Sequence, residues 1–518
     1  MLPRRTPRKE LKVDFVISVD RCLMSNHHSS EFLGFASTGP AIGVSEKLWR
    51  WLACPRMKTD EYGRPWQAPY GLRKIEAALQ DAGFRAYVID PDYVAYYVRK
   101  AKALLIGHHD YFAFGPPSSE WWLLTGREPV NRRSFIEFIS TPEIWEAKKQ
   151  NGLRIIVGGP AVWQWEAWRE ARRKWPVDTL VEGEAEKAVV ELAEKVLRGE
   201  PLPEKVVVPP GESPRVEEIP TIKAPSVNGL VEIMRGCPRG CKFCSVTLRP
   251  LRYIPLEMIE AEIRVNLEAG VGNIILHSED VLLYGANVVR PRAEHLLRLH
   301  TMVSKYLEKY NAGFAWSHAS LAAVKYAEEH GRIVSRIAEL VLDGDKRPFI
   351  GLETGIETGS VRLAKKIMPA KAAPYPAEKW PDIVEDAFAI MTEAGLLPAA
   401  TFILGLPGET EEDVYQTIEL LDRLKPYPSL IVPMFFVPMG ALKDMEGFKR
   451  ENLRDYHIEA MVTSARHSIR WAKYILSKYY LKGLKALPVR SIIAFFIRYA
   501  EKRIEEEYRR MLTHVEEL

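Results

Sequence analysis

Eight consecutive residues do most to limit what this chain can become. The run Cys237-Pro238-Arg239-Gly240-Cys241-Lys242-Phe243-Cys244 holds three of the five cysteines in 518 residues, at C-x3-C-x2-C spacing. Thiolates are soft ligands that suit zinc and iron–sulfur clusters. A closed structural zinc site takes four ligands, so three thiols leave it one short. Three thiols can hold three corners of a cubane 4Fe–4S cluster and leave the fourth iron to a ligand from outside the protein. The competing readings are a zinc knuckle completed by a distant histidine, or three buried free thiols. Leu230 to Met234 reads as a strand that delivers this loop. The remaining cysteines, Cys22 and Cys54, stand alone far upstream and read as core or surface thiols, with a redox role as the alternative.

Beyond the cysteine loop the pattern alternates regularly. Ile259, Ile263 and Leu267 share one helical face, and Gly270 ends that helix. The expected strands are Leu230–Met234, Asn273–His277, Gly313–Ser317, Pro348–Glu353, Ala399–Leu404 and Leu430–Phe436. Helices are expected between them, including one from about Glu411 with Val414, Ile418 and Leu421 in register. Six βα units make a partial (βα)6 barrel over 230–449, whose site lies at the carboxyl ends of the strands.

Polar motifs fall at those ends. Ser278-Glu279-Asp280 follows the second strand, where a carboxylate can accept hydrogen bonds from an ammonium group; the bland alternative is an exposed acidic turn. Gly351-Leu352-Glu353-Thr354-Gly355-Ile356-Glu357-Thr358-Gly359-Ser360 follows the fourth. Ile403-Leu404-Gly405-Leu406-Pro407-Gly408-Glu409-Thr410 follows the fifth, with Thr410 and Asp413 spaced to cap the next helix.

With the cysteine loop, and in this order, these motifs resemble those of the radical S-adenosylmethionine (SAM) enzymes. The resemblance implies that Cys237, Cys241 and Cys244 hold a 4Fe–4S cluster whose open iron is chelated by the methionine part of SAM. Phe243 matches the family's aromatic residue before the last cysteine. Ser278, Glu279 and Asp280 stand at the position of its Gly-Gly-Glu-like motif. Its Gly-x-Glu-Ser/Thr-Gly pattern, whose glutamate commonly meets the SAM ribose, occurs here in tandem and leaves the choice between Glu353 and Glu357 open. Gly405 and Pro407 match its adenine-contacting turn.

The first two hundred residues also alternate. Strands are expected at Val13–Ser18, Arg85–Ile89, Asp110–Phe114, Leu153–Val157 and Asp178–Val181. One helix carries Leu72, Ile75 and Leu79 before Gly83, and another runs to Gly199. This is the pattern of a parallel, doubly wound, Rossmann-like α/β sheet, which binds ligands beyond its strand ends. Gly158-Gly159-Pro160 ends one expected strand and Glu182-Gly183-Glu184 another. These signals resemble the cobalamin-binding domain found ahead of many radical SAM cores. They imply that Gly158, Gly159, Pro160, Glu182, Gly183 and Glu184 border a cobalamin. The Asp-x-His-x-x-Gly motif, whose histidine ligates cobalt in methionine synthase-like modules, is absent. The alternative is a Rossmann-like domain without a cofactor. The expected organisation is therefore 1–200 for this domain, 201–229 as an extended linker with seven prolines, 230–449 for the barrel and 450–518 as a helical C-terminal region.

A net charge of +4 between 72 basic and 68 acidic residues gives no sign of nucleic-acid binding. No run approaches the roughly 18 apolar residues of a membrane span, and the basic N-terminus lacks the apolar stretch of a signal peptide. A cytoplasmic, reducing setting is expected. The C-terminal region alternates aromatic and basic residues, among them Trp471, Tyr474, Phe495, Phe496, Lys478 and Arg498. It reads as a capping domain, or alternatively as a membrane-surface element.

The resemblance implies reductive cleavage of SAM to a 5′-deoxyadenosyl radical, with electrons from a ferredoxin- or flavodoxin-type donor. The expected reaction is cobalamin-dependent methylation of an unactivated carbon in a small molecule or lipid. The sequence nearest the core resembles archaeal cobalamin-domain radical SAM proteins, a group close to enzymes that modify archaeal membrane lipids such as tetraether ring synthases, so radical C–C bond or ring formation in a membrane lipid is the runner-up. A non-catalytic cobalamin or cluster sensor is the alternative of another class.

Overall fold

The computed structural model describes residues 5–29, 34–35, 37–41 and 45–480. It divides into two compact units, one of residues 1–231 and 254–274 and one of 232–253 and 275–518.

The first unit is built on a six-stranded sheet of β1 (Phe15–Ser18), β2 (Ala86–Val88), β3 (Ala103–Gly107), β4 (Arg154–Gly158), β5 (Thr179–Glu182) and β6 (Lys205–Val207). Its spatial order is β2-β1-β3-β4-β5-β6, and every neighbour pair is parallel. Successive side chains point to opposite faces of a strand, and both faces are covered. Val16, Leu104, Ile106, Ile155 and Val157 pack on one side with Phe135, Phe138 and Trp165. Phe15, Ile17, Leu105 and Ile156 pack on the other with Leu72, Leu79, Val189 and Leu192. This two-sided burial makes the strands near-continuous apolar runs.

Two expectations need correction here. The third strand is Ala103–Gly107, not Asp110–Phe114. The aromatic run Tyr111-Phe112 suggests a strand by composition, but its rings leave the sheet and join Phe135 and Trp165 in an edge-to-face cluster. The proline-rich stretch 201–229 is also more than a linker. Lys205–Val207 forms the outer strand β6, an edge position where flanking prolines remove no ladder bond.

The helix Leu256–Glu268 groups with the first unit rather than with the barrel. Its Glu262 accepts from Lys74 Nζ at 2.6 Å and from the Tyr70 hydroxyl at 2.7 Å. Side-chain partners almost two hundred residues apart in sequence decide that grouping.

The second sheet holds β7 (Leu230–Glu232), β10 (Asn273–His277), β11 (Gly313–His318), β12 (Ile350–Glu357), β13 (Leu396–Leu404) and β14 (Leu430–Phe435). Its order is β14-β13-β12-β11-β10-β7, so chain neighbours are sheet neighbours and the first and last strands are its two edges. This is the open six-stranded barrel that the βα pattern predicts. The strand ahead of the cysteines is shorter than expected. It stops at Glu232, and β8 (Met234–Arg235) pairs antiparallel with β9 (Arg252–Tyr253) to pinch the base of the cysteine loop. Gly236 stands in that pinch at φ +83°, where a Cβ would lie 2.7 Å from the Pro250 carbonyl oxygen.

The helix Asp455–Ile475 covers the β14 edge. Ser468 Oγ accepts from the Ile431 N–H at 2.7 Å and donates to its carbonyl at 2.8 Å, satisfying backbone that an edge strand leaves open. No helix among the described residues is long and apolar enough to cross a membrane. The rest of the aromatic and basic C-terminal pattern, including Phe495, Phe496 and Arg498, lies outside the described residues.

Candidate functional site

The cysteine loop is clamped by its own backbone and by one arginine. The Lys242 N–H donates to the Ile367 carbonyl at 3.0 Å, and the Lys242 carbonyl accepts from Ala441 at 3.0 Å. Arg239, between the first two cysteines, is buried. Its guanidinium donates to the carbonyls of Lys371 at 3.0 Å and Ala373 at 2.9 Å and reaches Asp280 Oδ2 at 3.4 Å. Phe243 packs with Leu363, Ile367, Leu406 and Phe436.

Burial pushes the Cys237 thiol up to about 12 and Cys241 to about 11, and raises Cys244. Arg239 and Lys371 oppose that rise, and the thiols also act on each other, Cys237 with Cys241 and Cys241 with Cys244. Ligation requires thiolates, so burial makes metal binding proton-releasing here. Among the described residues no group of three or more His, Cys, Asp or Glu is placed to hold a metal ion. The cluster assignment rests on spacing, shared surroundings and the soft donor set.

Beside this loop lies a band of buried polar atoms at the carboxyl ends of β10 to β12. His277 Nδ1, Ser278 Oγ, Glu279 Oε2, Asp280 Oδ1, His318 Nδ1 and Thr354 Oγ1 are all buried without a hydrogen-bond partner. Buried polar groups are nearly always paired, so six such atoms in one band mark a place where a polar ligand completes the set. The exposed-turn alternative for Ser278-Glu279-Asp280 fails, because Ser278 and Asp280 are 0% and 1% exposed. Burial raises the pKa of Glu279 and Asp280, with Arg239 opposing it at Asp280. The second oxygen of Asp280 is held by the Ser320 hydroxyl.

A register shift in β11 aims a further residue into this band. Ala315 lies opposite Gly351, but His318 lies opposite Glu353, so β11 spends one residue more than β12. Bulges of this kind redirect a side chain. His318 Nε2 meets Glu353 Oε2 at 2.9 Å. Burial lowers the His318 pKa, but the hydrogen bond and charge of Glu353 outweigh it and the net shift is upward. Sequence reasoning missed Arg239, Lys371 and His318. The spacing of β11 carries no signal for the bulge, and Arg239 is flagged only by its place between two cysteines.

In the first unit the strand order reverses at β1, between β2 and β3. Doubly wound sheets bind ligands at such a switch point. Sequence reasoning missed what stands there, namely Asp20 after β1 and His108-His109 after β3. His108 Nε2 meets Asp20 Oδ1 at 2.9 Å, and both groups are buried. Cys22 and Cys54 are not isolated, since their buried sulfurs lie 2.7 Å apart.

The expected cofactor glycines stand at neighbouring strand ends. Gly158 ends β4, and Gly159 follows it at φ +88° with Pro160 exposed beyond. A Cβ on Gly159 would meet the His108 carbonyl oxygen at 2.8 Å. Close backbone approach, not ligand space, accounts for this glycine, and Gly183 is likewise closed in by Val208. Glu182 is exposed and paired with Lys205 at 2.7 Å, while Glu184 is buried.

Comparison with known proteins adds to this geometry. The model of the Radical SAM superfamily matches residues 231–421. Those residues form a radical SAM domain. Such a domain implies a 4Fe–4S cluster and SAM. The chain is 29% identical over 206 residues to the uncharacterized protein MK0932 of Methanopyrus kandleri, covering 37% of this chain and 34% of that one. It is 25% identical to the threonylcarbamoyladenosine tRNA methylthiotransferase of Danio rerio, covering 43% of this chain and 38% of that one. A tRNA-2-methylthio-N(6)-dimethylallyladenosine synthase of Magnetococcus marinus is 27% identical, with 40% and 44% covered. The match thus spans less than half the length of each of these relatives. A solved structure of the radical SAM methyltransferase TsrM from Kitasatospora setae, with cobalamin and a [4Fe–4S] cluster bound, shares the fold at a TM-score of 0.52. It has 15% identity, with 83% of this chain and 77% of that one covered.

Within the radical SAM domain the tandem glutamates have different surroundings. Glu353 is partly exposed beside His318. Glu357 is buried, takes a positive φ of 61° and is held by Lys371, a buried ammonium that also acts electrostatically on Cys241 and Cys244. The Gly405 N–H donates to Glu409 Oε1 at 2.7 Å, and the Phe448 ring lies against its α-carbon. Pro407 is half-buried in the same turn.

Proposed function

We propose that this chain is a cobalamin-dependent radical SAM enzyme that methylates an unactivated carbon. The observation that carries the SAM part is the clamped three-thiol loop beside six unpartnered buried polar atoms. The cobalamin part rests on the TsrM-like fold and on the switch point of the first sheet, because Gly159 and Gly183 are explained without a ligand. When bound, the cluster supplies an electron that cleaves SAM to a 5′-deoxyadenosyl radical, and cobalamin supplies the methyl group.

The chain's own residues bind and orient. Cys237, Cys241 and Cys244 hold the cluster, and Arg239 fixes their loop. Ser278, Glu279 and Asp280 accept hydrogen bonds from the SAM ammonium, with Asp280 held between Arg239 and Ser320. Glu353 or Glu357 faces the ribose, and the Gly405–Pro407 turn borders the adenine. Phe243 and the apolar residues around it keep water from the loop. Electrons come from a ferredoxin- or flavodoxin-type donor, and the substrate is a small molecule. No observation among the described residues favours the lipid alternative.

Anaerobic incubation of reconstituted protein with dithionite and SAM tests this reading. An enzyme forms 5′-deoxyadenosine, whereas a cobalamin or cluster sensor binds its cofactor and forms none.

A further inference from the structure

We propose that the inner face of β11 to β13 holds the substrate by a neutral hydrogen-bonding group, which His318 and His277 engage in the room that Gly351 leaves. The inference rests on the radical SAM reading above and names the substrate class of that same barrel.

Burial picks out the face. Along Ile350–Gly355 and Leu396–Leu404 every second residue is buried and those between are half-buried. Trp316, Leu352 and Ala400 belong to the buried set. Trp316 shows which side that is, since its indole donates to His300 of the helix Ala293–Tyr310 at 3.0 Å. The half-buried set therefore faces the lumen. Strand register joins it into rows, with Ala315 beside Gly351, and His318 beside Glu353, Ala399 and Leu430. His318 and Glu353 keep 43% and 38% of their side-chain surface accessible, although their strands lie inside the sheet, so this row borders an open space. A Cβ built on Gly351 would meet nothing nearer than the Phe349 ring at 3.7 Å, and its φ lies outside the left-handed region. Neither crowding nor chain geometry calls for glycine there. What the glycine leaves is room.

The polar groups at this row are not all absorbed by SAM. His277, at the end of β10, sets its ring edge-on to His318 with centroids 6.5 Å apart, and Nδ1 of each is buried without a partner. Ser278, Glu279 and Asp280 go to the SAM ammonium in the reading above. Glu357 is held by Lys371 beside the thiols. The two imidazoles are left for another ligand, and the pairing of Glu353 with His318 leaves the ribose to Glu357.

Charge decides the class of that ligand. His318 is paired with Glu353, and Glu232 with Arg235 at 2.7 Å. Burial and then His318 lower the His277 pKa to about 4, with Glu232 and Glu353 opposing, so His277 is neutral at physiological pH. Each of these charges has its opposite, and a charged substrate group would stand among them uncompensated. A hydroxyl, an amide or a ring N–H completes the imidazoles without that cost. Ala315, Ala399 and Leu430 suit an apolar body behind it.

The test uses full-length protein with its cluster reconstituted, in the presence of SAM, and three probes that share one ring: benzamide, benzoate and benzylammonium. Isothermal titration at neutral pH should find benzamide bound, and the two ions bound about tenfold more weakly or not at all, because their charge is uncompensated. His318→Ala should weaken benzamide by about tenfold, the loss of one hydrogen bond. Gly351→Val should abolish benzamide binding without lowering the thermal melt, because a β-branched residue suits a strand and its Cβ meets no close neighbour. Its dithionite-driven cleavage of SAM should match wild type. Benzoate or benzylammonium binding as tightly as benzamide overturns the substrate class. Benzamide binding that survives both changes, or an early melt of Gly351→Val, overturns the site. Loss of SAM cleavage in Gly351→Val gives this space to SAM and overturns it too, as does a wild type that cleaves SAM but binds none of the probes. A wild type that fails to cleave SAM overturns the radical SAM reading itself and the proposal with it.

Discussion

Arg239 and Asp280, 41 residues apart in sequence, are buried against each other with 3.4 Å between guanidinium and carboxylate. The same guanidinium holds the carbonyls of Lys371 and Ala373. One side chain thus ties the cysteine loop both to the acidic motif after β10 and to the turn that follows the helix Val361–Ile367. Arg239→Leu leaves Asp280 without its cation and the Lys371 and Ala373 carbonyls without this donor. Breaking a buried pair costs about 3–5 kcal/mol. A denaturant titration of the variant should show a loss of that order, and an unchanged midpoint would mean that the clamp contributes nothing.

Cys237→Ala, Cys241→Ala and Cys244→Ala should each abolish the visible iron–sulfur absorbance or the formation of 5′-deoxyadenosine. Cys22→Ala and Cys54→Ala should affect neither, because that buried pair belongs to the other compact unit. Full cleavage by the Cys241→Ala protein would remove the loop from the chemistry.

His318 and Glu353 set a pH dependence. Glu353 raises the folded-state pKa of His318 despite its burial. A raised pKa on a base contributes stability that is complete below the unfolded value, about 6.5. That stability is lost as pH rises through the folded value. Wild type should therefore exceed Glu353→Gln in thermal stability most at pH 5 to 6 (about one unit below the unfolded pKa), with the gap closing in alkali. A gap that widens with pH would show that His318 is not the titrating partner.

Asp413 gives the opposite sign. Burial raises its pKa, but Arg362, Ser360 and Thr410 outweigh that and lower it to about 2. A depressed carboxylate pKa stabilises above the unfolded value and the stabilisation fades as pH falls through the folded one. Acid titration of wild type should lose stability from about pH 4 down toward 2, and Asp413→Asn should start less stable and lose less over that range.

Gly159→Ala separates ligand space from chain geometry. A Cβ there meets the His108 backbone at a positive φ, strain of about 1–3 kcal/mol. The melt of the first unit should fall by the same amount with and without cobalamin, while SAM cleavage persists. A loss confined to cobalamin-loaded protein would return this glycine to the ligand.

The sequence alone determined the local and periodic features. The spacing of Cys237, Cys241 and Cys244 is covalent, and the helix cap formed by Thr410 and Asp413 spans three residues, so neither needs the rest of the chain. The six barrel strands were legible because each apolar run is bounded by turn residues and helical faces. What failed was whatever depended on distant partners. Tyr111 and Phe112 have strand-like composition but find Phe135 and Trp165, and β6 exists only because β5 offers an edge. Tertiary structure alone decided that a bulge turns His318 toward Glu353, that Cys22 meets Cys54, and that the strand order reverses beside His109. The physical reason is common to all three. A contact between residues tens of positions apart is fixed by the register and order of strands, and those are settled by packing both faces of a sheet rather than by any run of residues within it.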